Sequence, residues 1–212
     1  MWSSVPLWQD EPYTPRPALR GAVDADVCVI GAGAGGLATA WHLATRGASV
    51  AMLEAREVAS GASGRNGGFF IAGPAPMYHE AVARWGRERA VAIQHATLDA
   101  QREMLGVAVA IRARSHFRMM GMLRVGMDAA EAADVRAHQA ALARDGFAGE
   151  VVAGADLPPP LAREDRLGLY LDHDGGVHPV RWLRMRAAAL EREHGTRIFE
   201  GTRVTCAPRV AG

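Results

Sequence analysis

The sequence predicts an α/β fold that begins with a strand–helix–strand unit, and three observations indicate it. Residues 25–30 form a short apolar run rich in β-branched side chains, as is typical of a central parallel strand. A glycine-rich turn, residues 31–36, follows this run directly. Apolar residues at helical spacing then cover residues 37–45, and a second apolar run covers residues 49–53. Elements in this order are typical of a βαβ motif of about 30 residues.

The first strand and helix carry specific expectations about burial. Because the run around Cys28 is almost entirely apolar, we expect that strand to be buried and Cys28 to be a small core residue. The helix should bury one face and stop before Gly47. We also expect Met119 and Met120 to lie in the core. The residues predicted to share the buried face of the helix are Leu37, Ala40, Trp41 and Ala44.

The rest of the chain is predicted to mix helices and short strands. Residues 1–24 are proline-rich and lack periodicity, which indicates an extended arm. Asp128 is expected to cap one helix, and Gly195 to close another. The predicted helices are residues 78–109 with a break near Gly86, residues 128–144 and residues 179–194. The predicted strands are residues 117–125, 167–171, 197–200 and 203–206.

The turn after the first strand has the spacing Gly31-x-Gly33-x-x-Gly36. The first glycine permits a tight turn, the second lets the backbone approach a pyrophosphate, and the third lets helix and strand pack closely. The N-terminus of the helix then favours an anion. Glu54 ends the next strand about 20 residues later, where a carboxylate binds ribose hydroxyls. The alternative is a Gly/Ala-rich helix start followed by a surface glutamate.

A second glycine-dense segment, residues 61–68, follows soon after Glu54. Four glycines leave its backbone free to approach a ligand closely. Ser63, Arg65 and Asn66 add hydroxyl, guanidinium and amide groups, which suit phosphate and ring edges. The alternative is a flexible surface loop. Ser63 lacks the frame of a serine-hydrolase elbow, so we do not expect it to be a nucleophile.

Metal chemistry is not expected. Residues 172–179 combine Asp and His side chains, but Asp-Gly-Gly is ordinary turn chemistry and no acidic residue follows at calcium-loop spacing. Cys28 and Cys206 form no CxxC pair, which excludes a cysteine zinc site, while a disulfide between them remains open. His178 should precede a helix that starts at Pro179 and face a ligand cavity.

Composition narrows the class of partner. A net charge of +1 and an aromatic content of 6% disfavour nucleic acid as a partner. No apolar run approaches the ~20 residues that cross a bilayer, so no membrane contact is expected. The N-terminus has no apolar signal core, and we therefore expect a cytoplasmic protein.

With these motifs, the chain resembles the glycine/D-amino-acid oxidase family of FAD-dependent oxidoreductases, in particular its γ-glutamylputrescine oxidoreductase-like branch. The resemblance is most specific in the first 70 residues. The stretches that carry it are residues 13–17, 26–33, 53–55 and 61–68, with residues 178–179 and 201–204 also fitting. It implies a Rossmann-like FAD-binding domain with the start of an α+β substrate domain.

The resemblance also implies a set of residues that contact FAD. The glycines of the turn would hold the pyrophosphate, Glu54 the ribose, and the backbone of Val204 the adenine. Asn66 takes the place at which some relatives attach FAD through a histidine, so FAD is expected to be non-covalent. The residues predicted to contact the cofactor are Gly31, Ala32, Gly33, Ala34, Gly35, Gly36, Glu54, Ala55, Arg56, Ser63, Gly64, Arg65, Asn66, Gly67, Gly68 and Val204.

The implied reaction is oxidation of a C–N bond in a small-molecule amine or amino acid, with hydride transfer to the flavin. The implied domains are an arm (1–24), a discontinuous FAD-binding domain (25–72 and 173–212) and part of a substrate domain (73–172). Family members are longer, so the chain looks like a truncated N-terminal portion, and a missing C-terminal half or a partner chain is expected.

The sequence indicates no catalytic residue. Two alternatives remain: an NAD-dependent dehydrogenase, and a non-catalytic nucleotide-binding remnant or subunit.

Overall fold

The computed structural model describes residues 5–206, which form two compact units. Within the described residues, unit 1 comprises residues 5–68, 108–116 and 178–206, and unit 2 comprises residues 69–107 and 117–177. The strands are β1 (Val27–Ile30), β2 (Val50–Leu53), β3 (Phe69–Phe70), β4 (Phe117–Arg118), β5 (Met122–Gly126), β6 (Glu150–Ala153), β7 (Leu167–Leu171), β8 (Gly175–Val177) and β9 (Arg197–Phe199). The α-helices are α1 (Ala34–Ala44), α2 (Tyr78–Trp85), α3 (Arg87–Ala110), α4 (Ala129–Arg144) and α5 (Pro179–His194).

Unit 1 contains a three-stranded parallel sheet in the order β1-β2-β9. The central strand β2 buries Val50, Ala51 and Met52, as expected for a parallel strand with a ladder partner on each side. The helices α1 and α5 pack against each other in this unit, and the indole of Trp41 meets the ring of His194 edge-on at 5.2 Å. This sheet and its helices form the predicted βαβ unit with a third strand added.

The prediction that the first strand is central and buried is wrong. Among the described residues β1 pairs only with β2, so it lies at the edge of the sheet, and Ile30 is 60% exposed. Cys28 is exposed too, and therefore is not the core residue that we expected. An apolar run indicates a strand, but its place in a sheet depends on which distant strands pair with it. Cys28 and Cys206 are both free thiols.

The helices of unit 1 follow the sequence closely. The buried residues of α1 are the four predicted, Leu37, Ala40, Trp41 and Ala44. Gly47 follows the helix with φ of 90°, and its N–H donates to the carbonyl of Ala44. Helix α5 has the predicted bounds, begins with its proline and is capped by Gly195 in the left-handed conformation.

Unit 2 contains two antiparallel three-stranded sheets, in the orders β3-β8-β4 and β5-β7-β6. Helices α2 and α4 pack together, and α4 also packs on β5 and β7. Asp128 caps α4 as predicted, because its carboxylate accepts hydrogen bonds from the N–H groups of Ala130 and Glu131. Tyr78 and Leu169 are fully buried in the core of this unit.

Several strand predictions need correction. The predicted strand 117–125 is two strands, β4 and β5, because the chain turns at Gly121 with φ of 75°. Residues 203–206 form no strand, since the described part of the chain offers them no ladder partner. Met120 is 69% exposed, so it is not a core residue. The short strands β3, β6 and β8 were not predicted, because each is too brief for a clear alternation of apolar and polar side chains.

Candidate cofactor-binding site

The turn after β1 has the backbone geometry that its glycines predict. Gly31 adopts φ of 94°, which a residue with a side chain rarely adopts, and its N–H donates to the carbonyl of Leu53 at 2.8 Å. A Cβ atom placed on Gly36 would lie 1.9 Å from the carbonyl oxygen of Gly31. Helix α1 therefore approaches the end of β1 so closely that only glycine fits at position 36.

The N-terminus of α1 lies next to the glycine-dense loop. Gly33 is the N-cap residue and supplies no side chain, so the first N–H groups of the helix need partners from elsewhere. The N–H of Ala34 donates to Oγ of Ser63 at 2.9 Å. A Cβ atom on Gly33 would lie 2.9 Å from the same oxygen. Gly35 is exposed, and the first turn of α1 carries no acidic side chain, so this end of the helix favours an anion.

Glu54 follows β2 and fixes the turn from the other side. Its Oε2 accepts a hydrogen bond from the N–H of Ala32 at 2.8 Å, and its Oε1 accepts one from the N–H of Arg56 at 2.9 Å. Each carboxylate oxygen has a second lone pair for a hydroxyl donor. Glu54 is partly exposed, as is Ala55, and Arg56 is exposed. The carboxylate is thus held in one orientation at the end of the strand next to the turn.

The polar side chains of the glycine-dense loop mainly hold the loop itself. Asn66 donates through Nδ2 to the carbonyl of Ser63 at 2.8 Å and accepts through Oδ1 from the N–H of Gly68 at 2.8 Å. Arg65 donates through Nε to the carbonyl of Ser60 at 3.0 Å. A Cβ atom on Gly64 would lie 2.0 Å from the carbonyl oxygen of Ala59, so the loop is tightly folded there. Gly67 is exposed and follows Asn66 at the surface. Hydrogen bonds between its own side chains and backbone, together with close packing at Gly64, therefore hold the loop.

The segment after β9 runs beside Glu54. The N–H of Thr202 donates to the carbonyl of Glu54 at 2.8 Å, and the N–H of Gly201 donates to the carbonyl of Arg56 at 2.9 Å. Val204 follows two residues later and is partly buried. That the backbone of Val204 contacts adenine stays a prediction.

Sequence reasoning missed the role of Glu200. Its side chain is 1% exposed, and its carboxylate accepts hydrogen bonds from the hydroxyl of Tyr13 at 2.7 Å and from the N–H groups of Arg16 and Val58. Burial and this hydrogen bond raise the pKa of Tyr13 well above its usual value. Because Val58 lies just before the glycine-dense loop, Glu200 ties the arm to that loop. An acidic residue directly after the apolar pair at residues 198–199 was the available signal.

His178 is the N-cap of α5, as predicted. Its Nδ1 accepts a hydrogen bond from the N–H of Arg181 at 3.3 Å, and its Nε2 lies 3.5 Å from the carboxylate of Glu11. Burial, which outweighs the attraction of Glu11, lowers the pKa of His178. That it faces a ligand cavity stays a prediction. Residues 5–206 contain no cluster of three or more His, Cys, Asp or Glu side chains that could hold a metal ion.

Unit 2 contains a cavity of about 320 Å³. Its lining is mostly apolar and comes from β5, α4 and the segment 69–76, with Arg124 and His138 among the polar groups. Nδ1 of His138 accepts a hydrogen bond from the N–H of Tyr78 at 2.7 Å. Burial, with a smaller contribution from Arg124, lowers the pKa of His138 to about 4, so the imidazole is neutral near pH 7.

The chain matches the family model described as FAD dependent oxidoreductase (DAO) over residues 26–212. It is 32% identical over 194 residues to the probable oxidoreductase OrdL of Rhizobium meliloti (strain 1021), a match that covers 88% of this chain and 44% of the relative. It is 31% identical over 206 residues to γ-glutamylputrescine oxidoreductase of Escherichia coli (strain K12), which covers 91% of this chain and 45% of the relative. The chain thus spans less than half the length of these relatives.

Solved structures support the fold. Glycine oxidase from Geobacillus kaustophilus superposes with a TM-score of 0.68 at 21% identity, over 85% of this chain and 47% of that one. L-amino acid deaminase from Proteus vulgaris, lacking its specific insertion, superposes with a TM-score of 0.65 at 21% identity, over 88% of this chain and 48% of that one. The prediction of a Rossmann-like α/β fold is confirmed. None of the described helices has the length and apolar character to cross a membrane.

The family match includes the whole of the glycine turn, the glycine-dense loop and the segment after β9. The chain therefore belongs to the family of FAD-dependent oxidoreductases.

Proposed function

We propose that the chain forms the nucleotide-binding part, with some of the substrate domain, of a flavoenzyme that oxidises the C–N bond of a small-molecule amine or amino acid. The observation that carries this proposal is the turn in which Gly36 contacts Gly31 while Ser63 and Glu54 hold N–H groups of the same turn. The names of its relatives support the substrate class, since they include γ-glutamylputrescine oxidoreductase and glycine oxidase.

Three parts of unit 1 would hold FAD. The first turn of α1, together with the hydroxyl of Ser63, would bind the pyrophosphate, because both lie where an anion is favoured. The carboxylate of Glu54 would bind the ribose hydroxyls through the lone pairs that its two N–H contacts leave free. The backbone at Val204 would contact the adenine, since its segment is hydrogen-bonded to Glu54.

The glycine-dense loop would lie along the rest of the cofactor. Asn66 uses its amide to hold the loop and is not a nucleophile, so FAD would be bound without a covalent link. When bound, FAD supplies the group that accepts a hydride from the substrate carbon. The chain's own residues bind and orient it.

Residues 73–172 would take part in substrate recognition. The cavity of unit 2 offers an apolar lining with few polar groups, which suits the body of a small molecule. Further substrate contacts would come from a C-terminal half or a partner chain, because the chain spans less than half the length of its relatives.

Anaerobic reduction tests the proposed reaction. The FAD-loaded protein is mixed with a panel of primary amines, secondary amines and amino acids, and with 2-hydroxy acids as the control class. Loss of flavin absorbance with a member of the amine or amino-acid classes only, together with release of an aldehyde or oxo acid, is expected. Reduction of the flavin by 2-hydroxy acids would contradict the proposal. Reduction by NADH, with no reduction by any amine or amino acid, would contradict it too. An FAD-loaded protein that no panel compound reduces would favour the non-catalytic alternative.

A further inference from the structure

The N-terminal arm contacts the glycine-dense loop through one side chain with several hydrogen bonds. The amide Nε2 of Gln9 lies 3.3 Å from the carbonyl of Ala59, 3.1 Å from that of Ser60 and 3.4 Å from that of Gly64. A Cβ atom on Gly64 would lie 3.0 Å from the same nitrogen. The amide of Gln9 therefore donates both to the residues just before the loop and to Gly64 within it. It shares the carbonyl of Ser60 with Nε of Arg65.

A second arm residue contacts the other end of the loop. The indole N–H of Trp8 donates to the carbonyl of Asn66 at 2.7 Å. The same ring lies edge-on to the imidazole of His178, with the ring centroids 4.8 Å apart. Trp8 thus joins the loop to His178, the N-cap residue of α5, which belongs to the same unit.

The arm is itself anchored at three points along its length. Glu11 pairs with Arg181 and lies 3.5 Å from His178, both at the start of α5. Arg16 forms two hydrogen bonds to Glu191 near the end of α5, at 2.6 and 2.8 Å. Tyr13 and the N–H of Arg16 bond to the buried carboxylate of Glu200. An arm fixed along a helix in this way can impose a position on the loop that it touches.

The glycine-dense loop has few side chains of its own to hold one conformation, so contacts from the arm matter for its shape. Its four glycines lose more conformational freedom on ordering than other residues, and they contribute no side chains to pack. The loop nevertheless has to place Ser63 next to the N–H of Ala34 at the helix N-terminus. The contacts run from the arm, through Gln9, to the loop and then through Ser63 to the start of α1.

We propose that residues 8–16 act as a clasp that holds the glycine-dense loop in its cofactor-binding shape, with Gln9 as a positioning residue for FAD. The inference rests on the proposed function for its FAD part only, because the contact between arm and loop exists without a ligand. If these contacts are removed, the loop loses its conformational freedom only when FAD binds. That entropy loss then counts against binding, so the affinity for FAD is weaker.

The test compares Gln9→Glu with Asp10→Asn in the full 212-residue chain. Gln9→Glu keeps the shape of the side chain but replaces the donor by a carboxylate that faces three carbonyl oxygens. Asp10 is the exposed neighbour and makes no side-chain contact to the loop within residues 5–206, so Asp10→Asn is the matched control. Trp8→Phe keeps an aromatic ring, although a smaller one, and removes the N–H donor to Asn66.

Two readouts separate the clasp from general stability. Hydrogen exchange is measured without FAD at the amides of Ala59, Ser60, Gly64 and Arg65, which are hydrogen-bonded within unit 1. The FAD dissociation constant is measured on the same samples. We expect Gln9→Glu to speed loop exchange and raise the dissociation constant about tenfold or more, with Trp8→Phe acting in the same direction and Asp10→Asn like wild type.

Each other outcome decides a different part of the inference. Unchanged loop exchange in both Gln9→Glu and Trp8→Phe overturns the clasp. Faster exchange across the whole of unit 1 also overturns the clasp. In that case the arm stabilises the unit in general and does not hold the loop in particular. If the wild-type chain takes up no FAD, the proposed function fails, while the loop exchange still decides whether the arm holds the loop.

Discussion

Glu54 is the residue whose contacts bear most directly on ligand binding. One carboxylate oxygen accepts from the N–H of Ala32 in the turn and the other from the N–H of Arg56, and the residue is partly exposed. The side chain therefore has a structural role before any ligand arrives. Its orientation is fixed in advance, so in the proposed site a ribose hydroxyl would meet an acceptor that needs no rearrangement.

Glu54→Gln should weaken FAD binding about tenfold, because the amide keeps one acceptor oxygen and turns a donor towards an N–H group. The dissociation constant is measured by the change in flavin fluorescence on titration. Glu164→Gln, at an exposed position in unit 2, is the control and should leave the constant unchanged. An unchanged constant for Glu54→Gln would remove Glu54 from the proposed site.

Gly36 and Gly35 form a matched pair for a second test. A Cβ atom at position 36 meets the carbonyl of Gly31 at 1.9 Å, whereas one at position 35 meets nothing within 4 Å. Gly36→Ala should lower the free energy of unfolding by at least about 2 kcal/mol, because helix α1 must move away from β1. Gly35→Ala should raise the free energy of unfolding by no more than about 1 kcal/mol, because alanine favours the helix more than glycine does. Chemical denaturation measures both, and equal effects would contradict the close contact.

At the scale of elements, the helices were largely predictable and the sheet edges were not. Helix α5 has the predicted bounds because a proline starts it and a left-handed glycine ends it, and both signals are local. The exposure of β1 could not be predicted, since it depends on which strands pair across the sheet. The contact of Gln9 with the loop joins residues about 50 positions apart and leaves no periodic pattern. The glycine turn and Glu54 were predictable because their spacing is set by one βαβ unit.

Helices α2 and α4 of unit 2 meet at a buried histidine that should make stability depend on pH. The pKa of His138 is lowered to about 4, mainly by burial and further by the charges of Arg124 and His79. The unfolded chain, with a histidine pKa of about 6.5, binds more protons than the folded one between these values. The contribution of His138 to the free energy of unfolding is therefore fully present above about pH 6.5. It falls by on the order of 3 kcal/mol as the pH drops towards 4.

His138→Asn should reduce this acid sensitivity, because the amide oxygen can accept the N–H of Tyr78 and does not titrate in this range. Denaturation curves between pH 4 and 7 measure the effect. His95→Asn, at an exposed position on α3, should keep the wild-type slope. A wild-type slope in His138→Asn would mean that another group causes the acid sensitivity.

At the scale of the whole molecule, the chain carries the first part of its family's fold and spans 44–45% of its curated relatives. The described sheet of unit 1 has an open edge at β1, with Ile30 60% exposed. An open edge with exposed apolar side chains favours association with another strand. The turn, the helix N-terminus and the glycine-dense loop are nevertheless formed within unit 1.

Titration of the 212-residue chain with FAD, followed by absorbance and with NADH as competitor, tests the central claim most directly. The account predicts saturable binding of one FAD per chain, displaced by neither NADH nor NAD⁺, and full release of FAD on acid denaturation because the link is not covalent. Binding should weaken in Glu54→Gln and persist in Glu164→Gln. A chain that binds NADH in preference to FAD, or that binds FAD equally well without Glu54, would contradict the account.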